Sequence, residues 1–322
     1  MPSAVTFRVA TEADLPACAE LWRDGINAYQ SRLNQPLIPV DPSSAGRLGR
    51  LHAHTLLTDP ERFVVATRRD GAGTQRVVAF GSAVVRDEVW FLSMLFVHPE
   101  EQANGLGRAL LRRILPPPDA GLTLATATDS AQPISNALYA SFGIVPRRPI
   151  WNFAGTPGAT AGPAAMPGLP SGVRAVPFAT LVESSDGQGH RLLADAVDDL
   201  DREVLGYAHP LDHRYVRTTK AHGFLFLGPD HNAIGYGYAS PVGRIGPLAV
   251  RAPALLSPVL GHLLGAVEPR GSQACWVAGD ADRATTDLLR AGFRIEGFPV
   301  LLCWTKPFAD FARYLPTSPG LL

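Results

Sequence analysis

The stretch FLSMLFVHPEEQANGLGRALLRRIL, residues 91–115, decides how this chain is read. Its apolar opening through Val97 has the length and composition of a buried strand. His98-Pro99 ends the run, and Leu106, Leu110 and Leu111 then recur at helical spacing. Between strand and helix stands Gln102-Ala103-Asn104-Gly105-Leu106-Gly107-Arg108. A helix N-terminus has unpaired amides and a partial positive charge, so it holds a phosphate or pyrophosphate. Gly105 and Gly107 lack a Cβ, which lets the backbone close on such an anion. Two other phosphate loops are excluded. A Walker loop needs a lysine that is missing here, and a dinucleotide fingerprint needs Gly or Ala at position 110, which is Leu.

Upstream, residues 7–10 read as a short strand, and Thr11-x-x-Asp14 opens a helix whose buried stripe is Leu15, Ala19, Leu21, Trp22 and Ile26. A polar, proline-bearing loop follows over 34–44. Runs at 62–67, 76–85 and 89–97, separated by Asp70-Gly71 and Arg86-Asp87, suit an antiparallel meander. Downstream, Pro116 to Pro118 forbid continuation of the helix. A strand at 122–128 then lies at the distance of a crossover connection, which favours parallel pairing with 89–97. A helix over 135–142 is closed by Gly143.

The segment AGTPGATAGPAAMPGLPSG, residues 154–172, has little apolar bulk to offset its ordering entropy and reads as a linker. Beyond it the order repeats: strand 173–176, helix 190–205, strands 223–227, 234–239 and 244–250, helix 255–267, strand 274–278, helix 281–289, strand 300–305. The closures Phe142-Gly143-Ile144 and Ala291-Gly292-Phe293 occupy equivalent places, which points to duplication of one fold. The expected division is a domain over 1–154, a linker over 155–172 and a second domain over 173–322.

The pattern V-x-P-x-x-Q-x-x-G-x-G, carried by Val97, Pro99, Gln102, Gly105 and Gly107 after a buried strand, resembles the acyl-CoA signature of the GNAT superfamily. Asn136-Ala-Leu-Tyr139-Ala-Ser-Phe-Gly143 is similar to that family's later helix, and the opening R-x-A-T-x-x-D at Arg8 to Asp14 extends the likeness over the first half. The resemblance implies an α/β (α+β) chain of two tandem GNAT-like folds. Each would be a mixed, mostly antiparallel sheet flanked by helices, with a splayed parallel pair at the cofactor site. It implies acetyl-CoA, or another acyl-CoA, as cofactor: amides from Gln102 through Ala103, Asn104, Gly105, Leu106, Gly107 and Arg108 on the pyrophosphate, and Arg108 or Arg112 near the 3′-phosphate. Pantetheine would pair with the strand edge at Leu95, Phe96 and Val97 like an added strand, and Asn136 would contact the pantetheine arm. Tyr139 would protonate the departing thiolate as a general acid.

Attack on a thioester requires a neutral amine, so some group must accept a proton from the ammonium. Glu88, at the start of the central strand, is the first candidate, although an exposed carboxylate beside Asp87 is as good a reading. Ser93 could instead order a relaying water. The equivalent junction of the second half, Val250-Arg-Ala-Pro253-Ala-Leu-Leu-Ser-Pro258, has no glycine pair and has prolines where amides are needed. Leu288 stands four residues before Gly292 where the first half has Tyr139. The second half therefore reads as degenerate, with a structural or acceptor-binding role. One intact and one degenerate half is an arrangement similar to that of mycothiol synthases. The polar, aromatic run from Gly206 to Tyr215 is expected to be a contact loop, with Pro210 disfavouring a helical His209/His213 metal pair. His52 and His54 read as ordinary surface or packing residues.

Lys plus Arg and Asp plus Glu number 29 each, so no broad charge footprint points to nucleic acid or an anionic membrane. Cys18, Cys275 and Cys303 are few, odd in number and far apart, without metal or redox spacing. No signal-like start and no long apolar span are present, so the expectation is a cytoplasmic protein, monomer or homodimer, with no metal. The expected activity is acetyl transfer to a primary amine of a small molecule, an amino-sugar conjugate or a secondary-metabolite amine. The alternatives are a protein or peptide acetyltransferase and a non-catalytic acyl-CoA sensor.

Overall fold

The structure, a computed structural model, describes residues 5–40, 42–69, 73–156, 166–182 and 188–322. Compactness divides the chain into units 1–126 and 127–322.

In the first unit the order is β1 (Thr6–Val9), α1 (Leu15–Arg32), α2 (Pro42–Thr58), β2 (Phe63–Arg69), β3 (Gln75–Arg86), β4 (Val89–Val97), α3 (Leu106–Ile114) and the start of β5 (Thr123–Asp129). Strands β1 to β4 form the antiparallel meander, and β5 adds to β4 in parallel. Helix α3 packs through Leu106, Leu110, Leu111 and Ile114, all buried, while Arg108, Arg112 and Arg113 stay exposed. Its end is fastened to β4 by the buried Trp90 indole, which donates to the Ile114 carbonyl at 3.1 Å. The residues between 42 and 58, read largely as loop and unassigned sequence, are helical.

His52 on α2 is fully buried, packed edge-on against Phe80 and Phe63 at 5.2 and 5.9 Å, with no partner for either ring nitrogen among the described residues. Burial pushes its pKa down to about 4. Because this lies below the unfolded value of 6.5, the unfolded chain takes up the proton first. The contribution of neutral His52 is complete above about pH 6.5 and is lost as pH falls towards 4. At about 1.4 kcal/mol per unit this amounts to about 3 kcal/mol. His52→Leu is accordingly expected to remove that much of the acid sensitivity between pH 6.5 and 4 and to raise the melting temperature, because an unsatisfied polar ring becomes apolar. Urea melts at several pH values measure it; parallel stability-pH curves for variant and wild type would refute it.

The second unit begins with the end of β5 and continues through α4 (Pro133–Ala140), β6 (Val145–Gly155), β7 (Arg174–Pro177), α5 (Phe178–Val182), α6 (Gln188–Leu205), α7 (Pro210–Thr218), β8 (His222–Leu227), β9 (Ala233–Ala239), β10 (Ile245–Val250), α8 (Pro253–Ala266), β11 (Gln273–Ala278), α9 (Asp282–Arg290), β12 (Arg294–Trp304) and β13 (Tyr314–Leu315). β13, β10, β9, β8 and β7 form one sheet in that order, and β6 lies between β12 and β11, antiparallel to both. Strand β6, which the sequence order gives to the first half, thus carries strands of the second half on both edges. That exchange explains why compactness divides the chain before the Ala/Gly/Pro stretch rather than within it. Residues 157–165 of that stretch lie outside the described residues. Met166, at its far end, is buried and Leu169 packs on the core around Leu260 and Leu263, so this part is anchored.

The run at 206–215 is also more ordered than expected. Pro210 is the first residue of α7, a position where its missing amide costs nothing. His209 and His213 are buried beside Asp201, with His209 Nδ1 and His213 Nε2 at 3.1 and 2.9 Å from the same carboxylate oxygen; Tyr236 donates to the other oxygen at 2.5 Å. No helix among the described residues is long and apolar enough to cross a membrane.

Candidate active site

Strand β4 supplies the geometry on which the first unit's site rests. Ser82 pairs with Met94 and Ala83 with Leu92, so Ser93 is the extra residue of a β-bulge. A bulge bends its strand. The parallel ladder with β5 runs only from Val89 against Thr123 to Leu92 against Thr126. At its last rung Thr126 Oγ1 donates to the Leu92 carbonyl at 2.9 Å. Beyond Leu92 the described residues show no further ladder pair between β4 and β5, so Leu95, Phe96 and Val97 present a backbone edge on that side. All three are half-buried.

That edge leads into the Gln102–Arg108 segment. Gln102 folds its side chain back to donate from Nε2 to the Val97 carbonyl at 3.1 Å, which fixes where the strand ends. Arg68 holds the preceding turn through Glu101 at 3.0 Å. Ala103 and Gly105 are both left-handed, with φ of +66° and +74°, and Gly105 is the N-cap of α3. The first helical bond runs from Ala109 N–H to the Gly105 carbonyl at 3.0 Å, so the Leu106 and Gly107 amides precede it. Ala103, Asn104, Gly105 and Arg108 are exposed. A Cβ built on Gly105 meets no heavy atom within 4 Å, so the space in front of these amides is open to an anion.

Glu88 is not brought to this edge. It is exposed in the β3–β4 turn, where its carbonyl accepts from Thr123 N–H at 2.8 Å. Five residues of extended chain, roughly 16 Å, separate it from Ser93. The turn fixes Glu88 at the start of β4, whereas the glycine loop lies at its end. Ser93 stands at the bulge itself, 7% exposed.

Asn136 and Tyr139 belong to the second unit, on α4. Asn136 Nδ2 donates to the Asp129 and Gln132 carbonyls at 3.0 and 2.9 Å, while its buried Oδ1 has no partner among the described residues. An orphaned buried acceptor is costly unless a ligand supplies the donor, and an amide N–H of a pantetheine arm has the chemistry to do so. Tyr139 is 5% exposed, and burial pushes its phenol well above the ordinary value, so it stays protonated at neutral pH and is available as a donor. The helix ends on left-handed Gly143, with Ile144 N–H bonded to the Tyr139 carbonyl at 3.1 Å.

The second unit's β10 offers a comparison within one chain. It too is bulged, between Ile245 and Leu248, and it too leads into a helix N-terminus. Here, however, Leu248 and Ala249 pair with Leu315 and Tyr314 of β13, and Val250 N–H bonds to the Arg313 carbonyl at 3.0 Å. The tail occupies the edge that corresponds to Leu95–Val97. With Pro253 replacing an amide donor as well, the chain is expected to bind one CoA, not two. Calorimetric titration gives the stoichiometry, and two sites of similar affinity would refute it.

The Asp201/His209/His213 cluster has one potential ligand atom from each residue within 4.8 Å of the others. The two imidazoles are stacked at 4.3 Å with planes 23° apart, so their in-plane lone pairs run alongside each other rather than converging on one ion. With His213 Nε2 donating to Asp201, His213 Nδ1 accepts from the Tyr238 hydroxyl at 3.0 Å. The group is a buried hydrogen-bond network in which desolvation raises Asp201 to about 6 and lowers His213 to about 3.

The bulged strand, the glycine-capped helix and the following strand all fall within residues 26–144, which match the Acetyltransferase (GNAT) family. This segment is a GNAT domain. Its enzyme class is acyl-CoA-dependent N-acyl transfer. No curated protein matches the chain in sequence. Among solved structures, a candidate acetyltransferase from Pyrococcus horikoshii aligns over 99% of this chain and 96% of its own at 14% identity, TM-score 0.71. A GCN5-related N-acetyltransferase from Sphaerobacter thermophilus aligns over 96% and 98% at 20% identity, TM-score 0.59. A tandem GNAT protein from the clavulanic acid biosynthesis pathway aligns over 94% and 99% at 17% identity, TM-score 0.53. At these identities the likeness is one of fold, and it extends along nearly the whole chain.

The bulge at Ser93, the Thr126 hydroxyl at the last rung and the tail strand on β10 were missed by sequence reasoning. A serine interrupting an apolar strand is a faint signal for the first, and nothing local marks the other two.

Proposed function

We propose that this chain transfers an acetyl or other acyl group from CoA to a primary amine of a small molecule, at a single site. The observation that carries the reading is the free edge of β4 leading from the Ser93 bulge into the Gly105-capped helix, set against the same edge of β10 filled by β13. Bound acyl-CoA supplies its acyl group as an activated thioester. Backbone groups of Leu95 to Val97 would hold the pantetheine arm. The Leu106 and Gly107 amides, with Arg108 or Arg112, would bind the phosphates. Tyr139 keeps its proton at neutral pH and gives it from the phenol oxygen to the leaving sulfur. With Glu88 at the far end of β4, a water ordered at Ser93 is the better route for the proton lost by the amine. The second half has a structural or acceptor-binding role, and the protein works in the cytoplasm as monomer or homodimer.

Thiol release from acetyl-CoA across amino sugars, aminoglycosides, polyamines, amino acids and peptides tests this. Turnover with a small amine is the expected result. Turnover confined to peptides would transfer the reading to protein acetylation, and CoA retained without thiol release would indicate a sensor.

A further inference from the structure

The turn that delivers the chain to the Gly105 cap carries a buried carboxylate. Glu101 is 9% exposed and stands four residues before that glycine. Between Glu101 and α3, Ala103, Asn104 and Gly105 are exposed, and their amides have no backbone partner among the described residues. A charge shielded from water acts more strongly on its surroundings than one in solvent, so Glu101 opposes any anion that settles on these amides. The fold answers this charge from a distant strand. Arg68 on β2 reaches Glu101 Oε2 from its Nη2 at 3.0 Å. β3 lies between them: Arg68 pairs with Arg76 of β3, and His98 N–H, just past β4, bonds to the Val78 carbonyl at 2.9 Å. The bridge therefore crosses two strand spacings, about 10 Å. No other cation pairs with Glu101 among the described residues, and the buried Nε of Arg68 has no acceptor there.

We propose that Arg68 sets the affinity for the cofactor by neutralising Glu101, which removes a repulsion that the CoA pyrophosphate would otherwise meet at this loop. The inference rests on the reading above that places the pyrophosphate at the Leu106 and Gly107 amides. Gln102 already fastens the turn to the Val97 carbonyl, so the contribution of the ion pair to binding is electrostatic. Breaking the pair from its two sides has opposite consequences. Without the arginine, the carboxylate is left buried and unpaired, and it repels the phosphates. Without the carboxylate, the arginine keeps its access to water, at 27% side-chain exposure, and adds attraction instead. A bridge that only held the turn in shape would lose affinity from either side.

The test is calorimetric titration of CoA into the full-length protein at low and at high ionic strength, with a thermal melt of each variant. Arg68→Met is expected to weaken CoA binding by about 10-fold at low ionic strength, the order of one uncompensated charge acting on phosphate through protein. That deficit is expected to shrink as salt screens the repulsion. Glu101→Gln is expected to bind CoA at least as tightly as wild type, and, added to Arg68→Met, to restore most of the lost affinity. Weaker binding by Glu101→Gln, or a double variant as weak as Arg68→Met, would show a mechanical tie and overturn the proposal. Glu101→Gln alone decides this even where Arg68→Met fails to fold. An unaffected Arg68→Met, or a deficit indifferent to salt, would overturn it as well. The site itself fails separately: Gly105→Val binding CoA like wild type would remove the pyrophosphate from this loop, and this proposal with it.

Discussion

Tyr139→Phe is expected to slow single-turnover acyl transfer by about 10² to 10⁴-fold, the range of a general acid acting in the transition state. The ring is 5% exposed and its phenol is held protonated by burial, so the substitution removes a proton donor and keeps the packing. The hydroxyl is not required to hold the ground-state thioester, so the acetyl-CoA KM should change little while kcat falls. Single turnover is the proper measurement because slow product release would mask part of the loss. A rate within about twofold of wild type, far below the general-acid range, would mean that water protonates the thiolate and that Tyr139 is structural.

Gly105→Val is expected to lower CoA affinity by at least about 10²-fold, because two charge-assisted amide bonds to pyrophosphate are each worth about 1.5 to 3 kcal/mol. Two physical effects combine in this one residue. The position of a Cβ is free of protein atoms, so a branched side chain would fill the space in front of the Leu106 and Gly107 amides. The backbone is left-handed at φ +74°, which a β-branched residue strongly resists. Gly105→Asn separates them, since asparagine tolerates the left-handed region and still carries a side chain into the anion space. Titration calorimetry and thermal melts of both variants give the answer. Affinity retained in Gly105→Asn together with an intact fold would remove the pyrophosphate from this loop.

The two halves of the candidate site were unequally legible in the sequence. Glycine at 105 and leucine at 106, 110 and 111 report local needs, a left-handed cap and a buried helix face, so the turn and the helix it opens could be read without knowing any tertiary neighbour. Tyr139 with Gly143 was readable for the same reason, as a helix and its left-handed stop. Glu88 stands in the β3–β4 turn, at the opposite end of β4 from the glycine-capped helix; a carboxylate's place in the sequence does not say which end of a strand leads into a given helix. His209 and His213 misled because Pro210 was taken as a helix breaker, when at the first helical position it is well tolerated.

By itself the sequence determined most of the succession of strands and helices, α2 and α7 excepted, the duplicated order, the glycine-capped start of α3 and the loss of glycines at Pro253. These depend on side-chain periodicity, backbone freedom and missing donors within a few residues of one another. Only the tertiary structure decided that Ser93 is the bulge that frees the edge of β4, that β6 lies between β11 and β12, and that the tail at Tyr314–Leu315 closes the corresponding edge of β10. Strand register and edge occupancy are set by pairing between segments far apart in the chain. An unpaired backbone edge has the same sequence whether a tail, a neighbouring strand or a ligand covers it.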